Sequence, residues 1–226
     1  MGSDQENGSN KSNFIKIPDA CFLYPVESFS IPKHYEDVLE SVLIPHGLII
    51  DRIERIARDI HEGFGANSMT ILCVLKGGFQ FCQDLMTYIT SLNRNSGRSI
   101  QVNIDFIRLK SYENEDSCGS VKALGIDNLE HLKDKNLLVV EDIIDTGKTM
   151  EKLLGTLDML KPRSIKVCSL LLKRRPDSSG YMPDYLGFEI PNLFVSGYGG
   201  FDYNEYFRDL NHLCIMNENG RQKFKK

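Results

Sequence analysis

Hydrophobic positions along the chain repeat with two spacings, one typical of helices and one typical of strands. Between residues 51 and 64 the apolar side chains fall three and four positions apart, which predicts an amphipathic helix closed by Gly65. Residues 69–75 form a continuous apolar run of strand length, and residues 81–92 return to helical spacing. This part of the chain therefore predicts a helix, a buried strand and a second helix in succession.

The same alternation continues toward the C-terminus. Residues 100–106 alternate apolar and polar positions, and residues 137–140 and 165–172 are apolar runs, so each range predicts a strand. A helix is predicted from Gly147 to about residue 160, where Pro162 stops it. Strands that alternate with helices predict an α/β fold with a parallel sheet covered on both faces. Ligand sites on such sheets lie at the carboxyl ends of the strands.

Candidate chemistry is concentrated directly after the apolar run at residues 137–140. Glu141 and Asp142 are adjacent carboxylates, and a third, Asp145, precedes Thr146-Gly147-Lys148-Thr149. Unpaired N–H groups at a helix N-terminus attract a phosphate, and small or hydroxylic residues let it approach. Carboxylates accept hydrogen bonds from sugar hydroxyls or bind Mg²⁺. The pattern predicts a ligand that carries sugar, phosphate and magnesium together.

Plainer interpretations of these residues stay open at this point. Gly147-Lys148-Thr149 also matches the end of a P-loop, but that motif needs a glycine where the chain has Asp142. Glu141 and Asp142 could be a solvated strand end, and Asp145 could be a helix N-cap. Lys76-Gly77-Gly78 offers a positive charge and two unobstructed N–H groups to an anion, yet a simple strand-to-helix turn has the same composition.

Composition adds mainly exclusions. The chain has 226 residues, of which 41% are hydrophobic, so we expect one domain at residues 14–226 after a polar, disordered tail at residues 1–13. A net charge of −4 provides no general basic field for nucleic acid or a membrane surface. Six cysteines without CxxC spacing favour reduced thiols over disulfides or zinc. Without a signal peptide or a membrane-spanning apolar run, we expect a cytoplasmic protein.

Several longer motifs, in a fixed order, resemble a known family. Between about residues 32 and 220 the chain is similar to the eukaryotic hypoxanthine-guanine phosphoribosyltransferases, which are type I phosphoribosyltransferases. Besides the stretch at residues 139–150, the motifs are Leu43-Ile44-Pro45-His46-Gly47, Val74-Leu75-Lys76-Gly77-Gly78, Asp105-Phe106-Ile107-Arg108-Leu109-Lys110-Ser111-Tyr112 and Asp202-Tyr203-Asn204-Glu205-Tyr206-Phe207-Arg208-Asp209-Leu210.

The resemblance implies both a fold and an activity. The fold would be the α/β type I phosphoribosyltransferase fold, a central, mostly parallel sheet flanked by helices, with a small hood from the N-terminal arm and the C-terminal segment. The activity would be Mg²⁺-dependent transfer of the 5-phosphoribosyl group from phosphoribosyl diphosphate to N9 of hypoxanthine or guanine, giving IMP or GMP and pyrophosphate. The family forms homodimers or homotetramers. The alternative is a catalytically weak homologue that binds nucleotides for regulation.

Individual roles are likewise implied by the resemblance. Asp145 corresponds to the general acid/base near the purine, and Ser111 and Tyr112 would begin a lid. The groups implied to bind ligand are Glu141, Asp142, Thr146, Gly147, Lys148 and Thr149 for the ribose phosphate, Lys76, Gly77 and Arg208 for pyrophosphate, Lys173, Phe194, Val195 and Asp202 for the purine, and Asp202, Glu141 and Asp142 for Mg²⁺.

Two details of the family pattern concern particular positions. The resemblance implies a cis peptide bond at Lys76. The segment Gly199-Gly200-Phe201 is one residue longer than the family pattern, and it lies next to the residues implied to bind the base. The placement of Asp202 therefore depends on how the chain accommodates this extra residue.

Overall fold

A computed structural model describes residues 13–97, 99–110, 122–124 and 129–225. Within these ranges the chain forms two sheets and four α-helices. The strands are β1 (Ile15–Lys16), β2 (Leu39–Ile44), β3 (Met69–Leu75), β4 (Val102–Lys110), β5 (Lys122–Leu124), β6 (Asn136–Ile144), β7 (Ser164–Lys173), β8 (Tyr185–Ile190), β9 (Val195–Gly197) and β10 (Leu213–Met216). The helices are α1 (His46–Phe64), α2 (Gly78–Asn95), α3 (Lys148–Asp158) and α4 (Glu218–Lys223).

The larger sheet has the strand order β1-β8-β7-β6-β3-β4-β5 in the described ranges. Its first six strands are parallel to their neighbours, and β5 pairs antiparallel with β4 at one edge. The smaller sheet, which we call the hood, is antiparallel and has the order β2-β10-β9. This arrangement confirms the predicted α/β fold with a mostly parallel sheet.

Apolar residues on alternate positions of the central strands enter two different cores. Leu138 and Val140 of β6 pack in the core that contains α1 and α2, whereas Leu137 and Val139 pack in the core that contains α3. Successive side chains of a strand point to opposite faces, so a continuous apolar run is required for a strand that is covered on both sides. This explains why the buried strands were recognisable as unbroken hydrophobic runs.

Predicted boundaries were right for β3 and differ from the observed ones elsewhere: most elements are longer than predicted, whereas α3 begins at Lys148 and ends at Asp158, inside the predicted range. The strand predicted at 69–75 is β3 as observed. The first helix begins at His46, and Pro45 is its N-cap. Proline is tolerated at a helix start because the N–H group that it lacks would have no partner within the helix. Strand β4 extends to Lys110, and its Ile104 and Phe106 are exposed although they form the predicted apolar alternation.

The carboxyl ends of three neighbouring strands meet at one edge of the large sheet. Strand β6 lies between β3 and β7, and all three run in the same direction. Lys76 follows β3, Asp145 follows β6, and Lys173 is the last residue of β7. Parallel pairing therefore brings together motifs that are far apart in sequence. None of the helices in the described ranges is long and apolar enough to cross a membrane.

Candidate active site

The acidic pair lies inside a strand. Glu141 and Asp142 belong to β6, which continues to Ile144 because Ile143 and Ile144 pair with β7. The strand predicted at residues 137–140 was therefore too short, because the strand continues through the pair. Burial raises the pKa of Glu141 well above its usual range, and repulsion from Asp142 adds to this. Burial also raises the pKa of Asp142. Hydroxyl donors or a cation bound there would stabilise the ionised form of both carboxyl groups and so lower their pKa values.

The turn after β6 leads into the N-terminus of α3. Gly147 occupies the N-cap position with φ of 84°, and no described side chain caps the helix there. A Cβ atom at Gly147 would lie 2.5 Å from Ser179 Oγ, so both the backbone angle and the available space require glycine. Asp145 is not the N-cap, which removes the plain interpretation of that residue. A cleft of about 260 Å³ faces this turn and is lined by residues 141–147, Thr149 and Met150.

Asp145 contacts two cationic side chains, one at the end of β7 and one two residues beyond it. Lys173 Nζ lies 3.6 Å from Asp145 Oδ2, and Arg175 Nη1 donates to Asp145 Oδ1 at 3.1 Å. Arg175 also donates from Nε and Nη2 to the two carboxylate oxygens of Asp177, at 2.8 and 3.0 Å. Sequence reasoning assigned Arg175 no role. The available signal was the run of basic residues at the end of a strand parallel to β6.

The loop after β3 lies against the acidic pair. The peptide bond between Leu75 and Lys76 is cis, as the resemblance implied. A Cβ atom at Gly77 would overlap the carboxylate of Asp142, so this loop approaches β6 as closely as glycine allows. The candidate pyrophosphate loop and the candidate ribose-binding carboxylates are therefore in direct contact.

Glu205 bridges the two cations that were predicted to bind pyrophosphate. Lys76 Nζ donates to Glu205 Oε1 at 2.7 Å, while Arg208 donates to Glu205 Oε2 from Nη2 at 3.0 Å and from Nε at 3.2 Å. These hydrogen bonds lower the pKa of Glu205 to about 2. Arg208 Nη2 also donates to Asp202 Oδ1 at 2.8 Å. Sequence analysis did not identify Glu205, because Lys76, one of its two partners, is 129 positions away along the chain.

A larger cleft of about 490 Å³ contains the residues predicted to bind the purine. Lys173, Phe194, Val195 and Asp202 all line it, together with Lys76, Gly77 and Arg208. Phe194 lies just before β9 and keeps 43% of its surface exposed, whereas Val195 is buried. The Phe194 ring makes an edge contact with the ring of Tyr203, at 5.7 Å between centroids. An exposed aromatic ring on a cleft wall is suited to stacking on a planar ligand.

The segment after Tyr198 forms a closed turn. Gly197 and Phe201 exchange backbone hydrogen bonds of 2.7 and 3.0 Å, and the Phe201 side chain is buried. Tyr198 has φ of 44°, and its hydroxyl donates to Asp84 Oδ2 at 2.5 Å. A Cβ atom at Gly200 would lie 2.5 Å from the carbonyl oxygen of Gly77. The turn thus packs on the loop after β3, and Asp202 still lines the cleft.

The two clefts are adjacent, because both are lined by Asp142 and Ile143, and together they make up the candidate site. Lys148 is the exception among the predicted residues that the structure describes: it is exposed at the start of α3 and lines neither cleft. Ser111 and Tyr112, the predicted start of a lid, lie outside the described residues.

The carboxylates fit a magnesium ion only in part. Among the described residues, no three His, Cys, Asp or Glu side chains have the geometry of a metal site. Glu141, Asp142 and Asp202 therefore do not form a complete metal site by themselves. Asp142 and Asp202 line the same cleft, and the charge of Asp202 contributes to the raised pKa of Asp142. Mg²⁺ usually takes one or two carboxylates plus substrate oxygens and waters, so such a pair suits it.

Comparison with known families identifies the class of protein that has this arrangement of strand, turn and helix. A family model described as a phosphoribosyl transferase domain matches residues 43–203. That match includes the end of β2, all strands of the large sheet except β1, and the residues that line both clefts up to residue 203. The chain belongs to the phosphoribosyltransferase family, as predicted.

Individual relatives narrow the comparison. The hypoxanthine-guanine phosphoribosyltransferase of Sus scrofa is 56% identical over 217 residues, which cover 96% of this chain and 99% of that protein. Phosphoribosyltransferase domain-containing protein 1 of Homo sapiens is 49% identical over 225 residues, with 100% of each chain covered. The crystal structure of hypoxanthine-guanine phosphoribosyltransferase from Schistosoma mansoni in complex with IMP matches with a TM-score of 0.78 and 41% identity, covering 94% of this chain and 100% of that one.

Proposed function

We propose that this protein transfers the 5-phosphoribosyl group from phosphoribosyl diphosphate to N9 of hypoxanthine or guanine, with Mg²⁺, in purine salvage. The observation that carries the proposal is the pair of adjacent clefts, which bring together a carboxylate pair, an uncapped helix N-terminus and an aromatic wall with a lysine. Each part matches one part of a nucleoside monophosphate. The names of relatives at 56% and 41% identity support the same two bases.

The ribose phosphate is assigned to the corner between β6 and α3. Glu141 and Asp142 accept hydrogen bonds from the ribose hydroxyls. These bonds offset the loss of hydration that raises the pKa of both carboxyl groups. The backbone N–H groups and hydroxyls of Thr146, Gly147, Lys148 and Thr149 bind the 5′-phosphate at the start of α3. Because the Lys148 side chain lies outside both clefts, its contribution is assigned to its backbone.

The purine is assigned to the larger cleft. Phe194 stacks on the base, an interaction worth about 1–3 kcal/mol in nucleic-acid binders, and the Val195 backbone faces its edge. The ammonium group of Lys173 donates to the keto oxygen of a 6-oxopurine. Adenine carries an amino group there, so Lys173 would lose its hydrogen-bond partner and adenine would be rejected.

The leaving group is assigned to the loop after β3 and to Arg208. Gly77 offers a backbone without a side chain, and Lys76 and Arg208 provide positive charge on the same cleft. Asp202 and the acidic pair would hold Mg²⁺, which would supply further positive charge to stabilise the departing pyrophosphate. Asp145 accepts or returns the purine proton as general acid/base. Ser111 and Tyr112 are proposed to begin the lid that excludes water.

A steady-state assay tests the proposal directly. Pyrophosphate release is measured with phosphoribosyl diphosphate, Mg²⁺ and, in turn, hypoxanthine, guanine, xanthine and adenine. We expect release with hypoxanthine and guanine and none with adenine. The predicted activity is wrong if no purine supports release. Hydrolysis of ATP without any purine would instead support a P-loop enzyme.

A second candidate is a catalytically weak homologue that binds nucleotides for regulation. It is favoured by the 49% identity to a human protein whose name states a phosphoribosyltransferase domain and no substrate. Calorimetric titration with IMP and GMP separates the two candidates, because this second one predicts nucleotide binding without purine-dependent pyrophosphate release.

Self-association and a cytoplasmic location complete the proposal. Ile104 and Phe106 are exposed on the same face of β4, and an apolar surface of this kind is suited to contact with a second copy. Sedimentation analysis should then show a homodimer or homotetramer. The five cysteines in the described ranges are all free thiols, which agrees with a reducing compartment.

A further inference from the structure

Arg175, a cation beside the two clefts, has no part in the roles assigned so far. Arg175 lies two residues after Lys173, and its guanidinium contacts two carboxylates at once. Nε and Nη2 donate to Asp177 at 2.8 and 3.0 Å, and Nη1 donates to Asp145 Oδ1 at 3.1 Å. All three guanidinium nitrogens therefore have a hydrogen-bond acceptor.

These contacts fix the orientation of the Arg175 guanidinium in addition to neutralising its charge. A guanidinium is planar and rigid, so a carboxylate that binds two of its nitrogens fixes the plane of the group. Asp177 binds Arg175 in this way, which determines the direction in which Nη1 points. Nη1 points at Asp145, whose side chain is 47% exposed on the turn after β6. Without such a partner, an exposed carboxylate on a turn would sample several rotamers.

Lys173 is the weaker of the two partners of Asp145. Its Nζ lies 3.6 Å from Asp145 Oδ2, which is beyond hydrogen-bond distance. In the proposed function Lys173 donates to the purine instead. Among the described ion pairs of Asp145, only that with Arg175 then remains.

We propose that Arg175, oriented by Asp177, is a positioning residue that holds the carboxylate of Asp145 in place for proton transfer to and from the purine. Arg175 acts through Asp145 and lies outside the set of residues that line the two clefts. The inference rests on the proposed function, because it assumes that Asp145 is the general acid/base. It adds a residue that sets the turnover rate without binding either substrate.

A double-mutant cycle tests this inference with Arg175→Ala, Asp145→Asn and the combined variant. Positioned general acids and bases contribute about 10²–10⁴-fold, and misplacement by about 1 Å can cost about 10²-fold. We expect Arg175→Ala to lower kcat about 10- to 100-fold with the KM for phosphoribosyl diphosphate unchanged. In the Asp145→Asn background, the same substitution should cost about twofold or less, since residues that act as a unit are not additive.

Two further variants separate orientation from charge and from folding. Arg175→Lys keeps the charge but has no planar fork, so it should recover less than half of the lost turnover. Full recovery would show that charge alone suffices and would overturn the orientation argument. Arg58→Ala removes an exposed ion pair with Glu54 on α1, far along the chain from the site, and should leave kcat unchanged. Melting temperatures of all variants confirm that each protein is folded.

The outcomes distinguish this inference from the function on which it rests. Equal losses from Arg175→Ala in both backgrounds, or wild-type turnover in Arg175→Ala while Asp145→Asn is impaired, would overturn the inference alone. Wild-type turnover in Asp145→Asn would overturn the role of Asp145 and the inference with it. Absence of purine-dependent pyrophosphate release in the unmodified protein would overturn the proposed function.

Discussion

Glu205 shows how single residues alter the site beyond what a motif describes. Its carboxylate is bound by Lys76 and Arg208, the two cations that we assign to pyrophosphate. An anionic ligand must therefore compete with an internal anion for the same donors. Asn204, Glu205 and Phe207 all have positive φ angles, so this segment keeps Glu205 in place with an unusual backbone conformation. Such competition lowers the apparent affinity for the ligand.

Replacing Glu205 with glutamine should tighten the binding of phosphoribosyl diphosphate. Glutamine keeps the size of the side chain but removes the competing charge, and exposed ion pairs of this kind correspond to about a two- to fivefold change in KM. Because salt screens exposed pairs, the difference should shrink as ionic strength rises. The measurement is the KM for phosphoribosyl diphosphate at several salt concentrations. An increased KM would show that Glu205 assists binding.

The pH dependence of this effect follows from the same ion pairs. The pKa of Glu205 is lowered to about 2, so the carboxylate is ionised in the folded protein wherever the pH exceeds that value. The contacts are fully present above the ordinary glutamate pKa and are lost only as the pH falls through about 2. The ratio of KM values between the variant and the unmodified protein should therefore be constant from about pH 6 to 9. Glu54→Gln, in an exposed pair on α1, is the matched control.

At the scale of elements, the turn after β9 determines how two loops of the site fit together. Gly200 packs against the carbonyl oxygen of Gly77, and Gly77 in turn packs against Asp142. Asp202, which follows this turn directly, lines the larger cleft. The backbone of the turn packs against the loop after β3. Tyr198 anchors the turn through its hydrogen bond to Asp84 of α2.

Gly200→Ala should disturb the loop after β3 by steric overlap. The φ angle of Gly200 is not positive, so alanine is compatible with the backbone and the clash with Gly77 is the main effect. Overpacking of this kind costs about 1–3 kcal/mol of unfolding free energy. We expect that loss in chemical denaturation, together with a raised KM for phosphoribosyl diphosphate.

Gly155→Ala is the control for the glycine prediction. Gly155 lies within α3, and a Cβ atom there would meet no other atom within 4 Å. The substitution should stabilise the protein by about 0.5–1 kcal/mol, because alanine is favoured over glycine inside a helix. If Gly200→Ala proved as harmless as Gly155→Ala, the two loops would not be packed as described.

At the scale of the whole molecule, the large sheet and the hood enclose the site from two sides. The hood places Val195 and the adjacent Phe194 on the cleft, while the large sheet supplies the acidic pair and Lys173. Tyr35 connects the N-terminal segment to the far end of the site. Its ring stacks on Phe207, and its hydroxyl accepts from Phe207 N–H and donates to Asp209, both at 2.8 Å.

Burial and mutual repulsion of Glu141 and Asp142 should lower the stability of the ligand-free protein. Glu141→Gln removes one of two adjacent half-buried charges, so we expect it to raise the melting temperature without ligand. A gain of about 1–2 kcal/mol is typical for substitutions that remove strain from a functional site, and each kcal/mol corresponds to about 2–4 °C for a chain of this size. Differential scanning calorimetry provides the measurement.

Bound ligand should stabilise the unmodified protein more than it stabilises Glu141→Gln. At about 100 times Kd, phosphoribosyl diphosphate with Mg²⁺ should stabilise the unmodified protein by about 2.7 kcal/mol, and Glu141→Gln should lose most of that gain. The exposed Glu62→Gln on α1 should change neither value. A full ligand-induced shift in Glu141→Gln would show that the ribose does not bind at β6.

The sequence by itself determined the fold class and most of the chemistry of the site. Unbroken apolar runs appear wherever a parallel strand is buried on both faces, and the spacing between them is sufficient for helices, so the alternation of elements is a local property. The stretch from Glu141 to Thr149 is also local, because one strand-to-helix connection contains both its carboxylates and its helix N-terminus.

Only the tertiary structure decided which distant side chains meet. Strand β6 extends through the acidic pair because β7 supplies hydrogen-bond partners as far as Leu172, and no local pattern indicates that length. Arg175 meets Asp145 because β7 is parallel to β6, and Glu205 meets Lys76 across 129 positions of sequence. Contacts of this kind depend on strand order and register, which follow from how all elements pack together and not from the composition of any one of them.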